Sequence, residues 1–214
     1  LNMEKERQDR IISLCMEEFA LNDYKSASFT KIARKLGITK GGFYRYFESK
    51  KSLYNYLLKL SGKLIGGVME KHFIKAEENI FETFIHYFLE LISLEHTYPF
   101  ILPFMTKAAE DKINAATVPS WRVRKLDYLK KIIKNQQAKG CVRSDIDEST
   151  LAFFRQQTSK GIMDNCKQKY NLNYDADNRK YKKLSDLKEE VLIKELKAFL
   201  ILLKDGMGNP KYNS

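Results

Sequence analysis

A short stretch near the N-terminus combines basic and aromatic side chains at a spacing suited to nucleic-acid recognition. Lys40, Tyr44 and Arg45 lie within the segment TKGGFYRYFESKK, where a helix would place them on one face. Lysine and arginine bind phosphates and base edges, and Arg45 is the best candidate for pairing with a guanine edge. Gly41 permits close approach of the backbone. The segment therefore predicts a surface that contacts DNA.

A first short helix and a tight turn are predicted to position this segment. Ser28 is suited to the N-cap, because its hydroxyl can accept from backbone N–H groups at the helix start. Ile32, Ala33 and Leu36 then form the apolar stripe of a two-turn helix. Gly37 follows directly, where the chain must turn through a positive φ.

A second helix is predicted from about Lys40 to Tyr46, with Thr39 as its N-cap. Phe43 and Phe47 are four residues apart and would both face inward. The opposite face would present the basic and aromatic side chains to solvent. Together the two helices predict a helix-turn-helix.

The run ITKGGFYRYFESKKSLY resembles the DNA-binding segment of the TetR (tetracycline-repressor) family of bacterial regulators. The matching residues in this run are Ile38, Thr39, Lys40, Gly41, Phe43, Tyr44, Tyr46, Phe47, Ser49, Lys50 and Leu53. The upstream SFTKIARKLG resembles the family pattern through Ser28, Ile32, Ala33 and Gly37. Two features depart from the family: Gly42 replaces the usual Thr, Ser or Ala, and Lys51-Ser52 replaces an acidic pair.

The resemblance implies an all-α fold. A three-helix helix-turn-helix DNA-binding head at 4–50 would be joined by a long fourth helix to a helical effector-binding and dimerisation domain, together 51–214. The residues predicted to contact DNA are Ser28, Thr39, Lys40, Gly41, Tyr44, Arg45, Tyr46, Lys50 and Lys51. Within this set Lys40, Tyr44 and Arg45 are expected to be the main major-groove contacts. The residues expected to hold phosphates are Ser28, Thr39, Tyr46, Lys50 and Lys51. Two adjacent glycines cost roughly 1 kcal/mol each in a helix, so the recognition helix is expected to be loose without DNA.

The charge distribution supports a polyanionic partner. The net charge is +11, and residues 25–51 contain eight basic side chains against one acidic side chain. A second basic run at 122–143 is interpreted as a solvated helix face, with a second nucleic-acid site as the alternative. Charge alone would also suit a non-specific architectural DNA binder, although that alternative leaves the turn chemistry of residues 37–47 unexplained.

The remaining chain predicts helices separated by proline, glycine and asparagine. The expected helices cover 4–21, 50–73, 79–96, 119–139, a segment capped by Asp147, and 185–207, without strands. The segment around Pro103 is expected to be bent or broken, and 171–183 to be a mobile loop. Gly62, Gly66 and Gly67 in the fourth helix allow two interpretations: close helix packing, or a flexible joint between head and body.

A homodimer is predicted through the helices at 149–169 and 185–207. Their apolar surface is large enough for both a core and an interface, and the resemblance implies a four-helix bundle across a two-fold axis. Two heads about 34–36 Å apart would read a palindromic operator in double-stranded DNA.

A small hydrophobic or aromatic effector is expected to release the DNA by shifting the population of head spacings. The resemblance implies a pocket between the middle helices, where large aromatic residues are frequent. The candidate lining residues are Phe84, Tyr87, Phe88, Phe104, Met105, Trp121, Tyr128, Phe154 and Gln157.

An enzyme is the competing class, but the sequence contains none of the common nucleotide-binding, metalloprotease or serine-hydrolase motifs. No catalytic residue, metal site or cofactor is predicted. The three cysteines lack metal-ligand spacing and suit a reducing compartment. No apolar run is long enough to span a bilayer, so the expected location is the cytoplasm.

Overall fold

The chain folds predominantly into α-helices, as expected from the sequence. The computed structural model describes residues 5–74, 79–81, 83–110, 117–172, 174–175 and 180–209, with only the backbone described at 73–74, 110, 117–125, 174–175 and 180–181. In chain order the α-helices are α1 (Lys5–Leu21), α2 (Phe29–Leu36), α3 (Lys40–Tyr44), α4 (Lys50–Met69), α5 (Phe84–Thr97), α6 (Ile101–Glu110), α7 (Thr117–Ala138), α8 (Glu148–Lys169) and α9 (Glu189–Met207). A π-helical turn at Glu70–Ile74 continues α4, and a 3-10 turn at Leu184–Asp186 precedes α9.

Two segments have a different kind of structure from the one expected. The segment with Pro103 is a regular helix, α6, because Pro103 lies in its first turn, where no intrahelical N–H donor is needed. A short antiparallel hairpin, β1 (Tyr174–Asp175) and β2 (Lys180–Tyr181), lies where only a loop was expected. The expectation of a broken helix and of no strands was therefore wrong at these positions.

The contacts divide the chain into two compact units. The head unit contains the described residues of 1–66 and 93–119, and the body unit contains those of 67–92 and 120–214. The division falls within α4, between Gly66 and Gly67. The domain boundary predicted at residue 50 stays a prediction.

In the head unit, α2 and α6 pack against α1, and α3 packs against α2. Aromatic rings fill the space between these helices: Phe19 lies 5.0 Å from Tyr54 and 6.4 Å from Phe104 between ring centroids. The buried carboxylate of Glu18 accepts a hydrogen bond from the Ser28 backbone N–H at 3.0 Å. This bond fixes the start of α2 on α1.

In the body unit, α8 and α9 pack against each other. Asp147 caps α8 as predicted, since its carboxylate accepts from the backbone N–H groups of Ser149 and Thr150. The buried face of α9 includes Leu196 and Leu203. Among the helices that the structure describes, none combines the length and apolar composition needed to cross a membrane.

Candidate nucleic-acid interface

The turn between α2 and α3 has the local chemistry that the sequence predicts. The Ser28 hydroxyl accepts from the Lys31 N–H and caps α2. Gly37 has a φ of +68°, a left-handed conformation that favours glycine. The backbone N–H groups of Gly37 and Ile38 close the helix by donating to Arg34 O and Ala33 O. The direction of the chain into α3 is therefore set by backbone hydrogen bonds.

The start of α3 is also fixed by a cap. The Thr39 hydroxyl accepts from the Gly42 N–H at 3.0 Å. Phe43 is fully buried, with ring-centroid distances of 4.9 Å to Phe29 and 5.7 Å to Phe47. Because Phe43 points inward, the residues on the other side of this short helix point to solvent.

The exposed face of α3 presents the predicted DNA-reading side chains. Lys40, Gly41 and Arg45 are exposed, as are Tyr44 (43% exposed) and Tyr46 (37% exposed). The Tyr44 ring lies 5.3 Å from that of Phe29, so packing restricts its orientation. This face thus combines two cations, two phenol hydroxyls and one bare backbone position within two helical turns.

The α3 helix is shorter than predicted. It ends at Tyr44, Arg45 is its C-cap, and the Tyr46 N–H donates to Phe43 O. Glycine is a poor helix former, so Gly41 and Gly42 favour a short helix. A side chain at Gly41 would meet open space, whereas a Cβ at Gly42 would lie 3.2 Å from Thr39 Oγ1.

Lys50 forms intramolecular contacts that the sequence did not indicate. Its ammonium donates to Lys25 O at 2.9 Å and Ala27 O at 3.0 Å, and it lies 5.1 Å from the Tyr24 ring centroid. These contacts fix the α1–α2 loop on the N-terminus of α4. Lys51 is exposed. The predicted phosphate contact of Lys50 stays a prediction, and it would compete with two carbonyl partners.

The capping hydroxyls can serve two purposes at once. Ser28 and Thr39 accept hydrogen bonds from the backbone within the helix starts. A hydroxyl that accepts a hydrogen bond can still donate its own O–H group, and a phosphate oxygen can accept that bond. Their predicted phosphate contacts are therefore compatible with their caps.

The surrounding surface is strongly basic. Lys25, Lys31 and Arg34 are exposed, and Lys35 pairs with Glu17 at 2.9 Å. A surface ion pair of this kind contributes about 0–1 kcal/mol. Unbalanced positive charge around α3 therefore remains available to attract phosphates.

The predicted effector residues lie in different places. Phe84, Tyr87 and Phe88 are buried together in the body unit, where Tyr128 is partly buried. The others are located as follows: Phe104 is buried and Met105 partly buried in the head unit, Phe154 and Gln157 are exposed on α8, and the Trp121 side chain lies outside the described residues. The structure thus brings three of the nine into one aromatic group, and the set as a whole stays a prediction.

A cleft of about 440 Å³ lies in the head unit. It is lined by Arg10, Ser13, Leu14, Glu17, Lys35, Pro99 and Phe100. None of the nine predicted effector residues belongs to this lining.

Sequence reasoning missed Arg155. This side chain is only 4% exposed, and its guanidinium lies over the rings of Phe84 and Phe88. The helical spacing could have indicated its burial, because Arg155 follows Leu151 by four residues and precedes Ile162 by seven. This spacing places Arg155 on the apolar stripe of α8. A charged residue at such a position is uncommon in a helix core.

The fold and the exposed face of α3 define a helix-turn-helix DNA-binding protein. Residues 11–57 match the family described as bacterial regulatory proteins, tetR family. The resemblance to the TetR family that was read from the sequence is therefore confirmed over these residues.

Solved TetR-type structures match most of the chain. A TetR family transcriptional regulator from Chloroflexus aurantiacus J-10-FL is 22% identical with a TM-score of 0.69, covering 97% of this chain and 95% of its own. The MbdR regulator from Azoarcus sp. CIB is 18% identical with a TM-score of 0.69, covering 91% and 96%. The ketosteroid transcriptional regulator KstR2 of Mycobacterium tuberculosis is 13% identical with a TM-score of 0.68, covering 97% of both chains. The chain as a whole has the fold of these transcriptional regulators.

Proposed function

We propose that the protein is a sequence-specific transcriptional regulator, acting as a repressor, that binds a palindromic operator as a homodimer and is released by a small hydrophobic or aromatic effector. The observation that supports DNA reading most directly is the exposure of Lys40, Tyr44 and Arg45 on a helix whose start and turn are fixed by caps. The capped start and the turn set the direction of α3, which lowers the entropic cost of placing these groups in the major groove.

The dimer is supported by the apolar surface of α8 and α9. Phe153, Ile201 and Leu202 are each about 60% exposed. The Phe154 ring is held on α9, since a Cβ at Gly206 would lie 3.0 Å from it. Burying an exposed side chain of this size contributes roughly 1.5–3 kcal/mol. A second copy that covers this surface would supply the second head that a palindromic operator requires.

The operator can be identified by selecting bound DNA from a random pool. We expect a two-fold-symmetric consensus with half-sites about 10–10.5 base pairs, or a multiple of this distance, apart. Arg45→Ala should lose roughly 1–3 kcal/mol on that consensus and relax the preference at one base position in each half-site.

Lys31→Ala is a matched control, because Lys31 is exposed in the same basic surface but lies on α2 rather than α3. It should weaken all DNA sequences alike. Equal losses on the consensus and on random DNA for Arg45→Ala would contradict base reading. A pool without a consensus would instead favour an architectural DNA binder, an alternative that the bare Gly41 position supports.

A further inference from the structure

The cleft in the head unit lies along one face of α1. Arg10, Ser13, Leu14 and Glu17 line it, at the spacing i, i+3, i+4, i+7 that places four side chains on the same side of a helix. The buried residues of α1 occupy other positions, so the cleft borders the core without being part of it. Its volume of about 440 Å³ lies within the range of small-molecule sites. We call this space the head cleft.

Hydrogen bonds to α1 hold the turn between α5 and α6, which forms another wall of the head cleft. The Ser13 hydroxyl donates to Thr97 O at 3.3 Å. The Tyr98 hydroxyl donates to the carboxylate of Asp9 at 2.7 Å. Because these bonds fix the wall before any ligand binds, they lower the entropic cost of binding.

The charges that line the head cleft are not balanced. Lys35, in the last turn of α2, pairs with Glu17 at 2.9 Å, so the carboxylate of the lining already has a cation. Arg10 takes no part in the ion pairs and side-chain hydrogen bonds that are found among the described residues. Its guanidinium has planar N–H donors that match the two oxygens of a carboxylate. The lining therefore favours a ligand with one negative charge.

The remaining lining of the head cleft is apolar. Leu14 comes from α1, and Pro99 and Phe100 come from the turn before α6. All three side chains are partly buried, so each still has apolar surface that a ligand could cover. Small-molecule sites typically combine such an apolar lining with a few polar groups that fix the orientation of the ligand.

We propose that the head cleft binds a small organic acid, with its carboxylate on Arg10 and its flat apolar body against Leu14 and Phe100. The same molecule would contact Lys35, two residues before the turn glycine Gly37. This site is separate from the effector residues predicted from the sequence. Binding there requires neither the proposed operator nor the proposed dimer.

The test follows the Leu14 methyl signals by NMR in the full chain, with labelled leucine methyl groups. Leu14→Met identifies these signals by their loss. The probes are 2-naphthoate and 2-naphthamide, which have the same ring system and differ in charge. Each probe should shift the Leu14 signals through its ring current, and the titrations give a dissociation constant for this site alone. We expect 2-naphthoate to bind roughly fivefold more tightly than 2-naphthamide.

Arg10→Met should remove this preference, because methionine has no charge but keeps an unbranched side chain. Arg7→Met is the matched control, since Arg7 is exposed one turn earlier on α1 and does not line the head cleft. It should keep the fivefold preference. Circular dichroism establishes that both variants are folded.

Two results would overturn the proposal. If neither probe moves the Leu14 signals, the head cleft is not a binding site for such molecules. If the preference for 2-naphthoate persists in Arg10→Met, the carboxylate is not held by Arg10. These titrations contain no DNA, so the absence of an operator consensus would defeat the proposed regulator and leave this site standing.

Discussion

Replacing both Gly66 and Gly67 with alanine tests whether α4 contains a joint. The sequence left close packing and flexibility as equal interpretations of these glycines. A Cβ added at either position would meet nothing within 4 Å, so no packing contact requires a glycine there. The boundary between the two compact units also falls between these two residues. We therefore infer that the glycines soften the helix.

The magnitude follows from helix propensity. Alanine is favoured over glycine by roughly 1 kcal/mol per residue in a helix interior, so the double variant should gain about 2 kcal/mol. For a chain of this size each kcal/mol raises Tm by about 2–4 °C, which gives an increase of about 4–8 °C by scanning calorimetry. If the effector acts by deforming α4 at these residues, the same energy should reduce the effect of the effector on the operator-binding constant roughly 30-fold.

Operator binding is measured at increasing concentrations of an effector that releases the unchanged protein. Gly161→Ala is the control, because a Cβ at Gly161 on α8 also meets open space but lies away from the division. It should raise Tm without changing the response. A lower Tm for the double variant would show that the glycines are needed for packing. A higher Tm with an unchanged effector response would refute the joint.

Three further predictions concern contacts of the described residues. Lys50→Met should lower Tm by about 3–12 °C, because the ammonium loses two carbonyl acceptors worth about 1.5–3 kcal/mol in total; an unchanged Tm would exclude the positioning role. Leu202→Lys should shift the sedimentation coefficient from dimer to monomer, and a persistent dimer would place the interface elsewhere. Glu195→Gln should destabilise the protein at pH 7, since hydrogen bonds from Lys169 and Tyr170 lower the pKa of Glu195. That stabilisation is present above the ordinary carboxyl pKa of about 4.3 and is lost as the pH falls through the lower pKa that Glu195 has in the folded protein. Urea titrations should therefore show the free energies of unfolding of the two proteins converging below about pH 4. A difference that stays constant with pH would refute this linkage.

The local features of the head could be predicted because their causes are local. Ser28, Gly37 and Thr39 occupy the cap and turn positions expected of them, since a hydroxyl or a missing Cβ acts on backbone groups within three or four residues. The end of α3 could not be placed from Lys40–Tyr46 alone. It depends on the hydrogen bond from the Tyr46 N–H to Phe43 O, which the residue pattern does not specify.

Long-range contacts set the limit of sequence reasoning. A lysine at the start of a helix has the same sequence pattern whether it contacts a phosphate or a carbonyl, and only the fold brings Lys50 to Lys25 O and Ala27 O. Arg155 was missed for the same reason, because its contacts with Phe84 and Phe88 join residues about 70 positions apart. The ring contacts of Phe19 with Tyr54 and Phe104 likewise join residues that are far apart in the sequence.

Because two of the five residues of α3 are glycines, few side chains can contribute to sequence specificity. Lys40, Tyr44 and Arg45 are the exposed side chains of this face that we propose contact base edges, since Gly41 has no side chain and Gly42 lies close to Thr39. A good bidentate contact discriminates by about 1–3 kcal/mol, so one head can distinguish only a few base pairs. Two heads on a symmetric operator would add their discrimination between base pairs. Selective binding would therefore require a second copy of the chain. Leu202→Lys, which disrupts the proposed dimer surface on α9, should therefore reduce the preference for the operator over random DNA more than it reduces binding to random DNA.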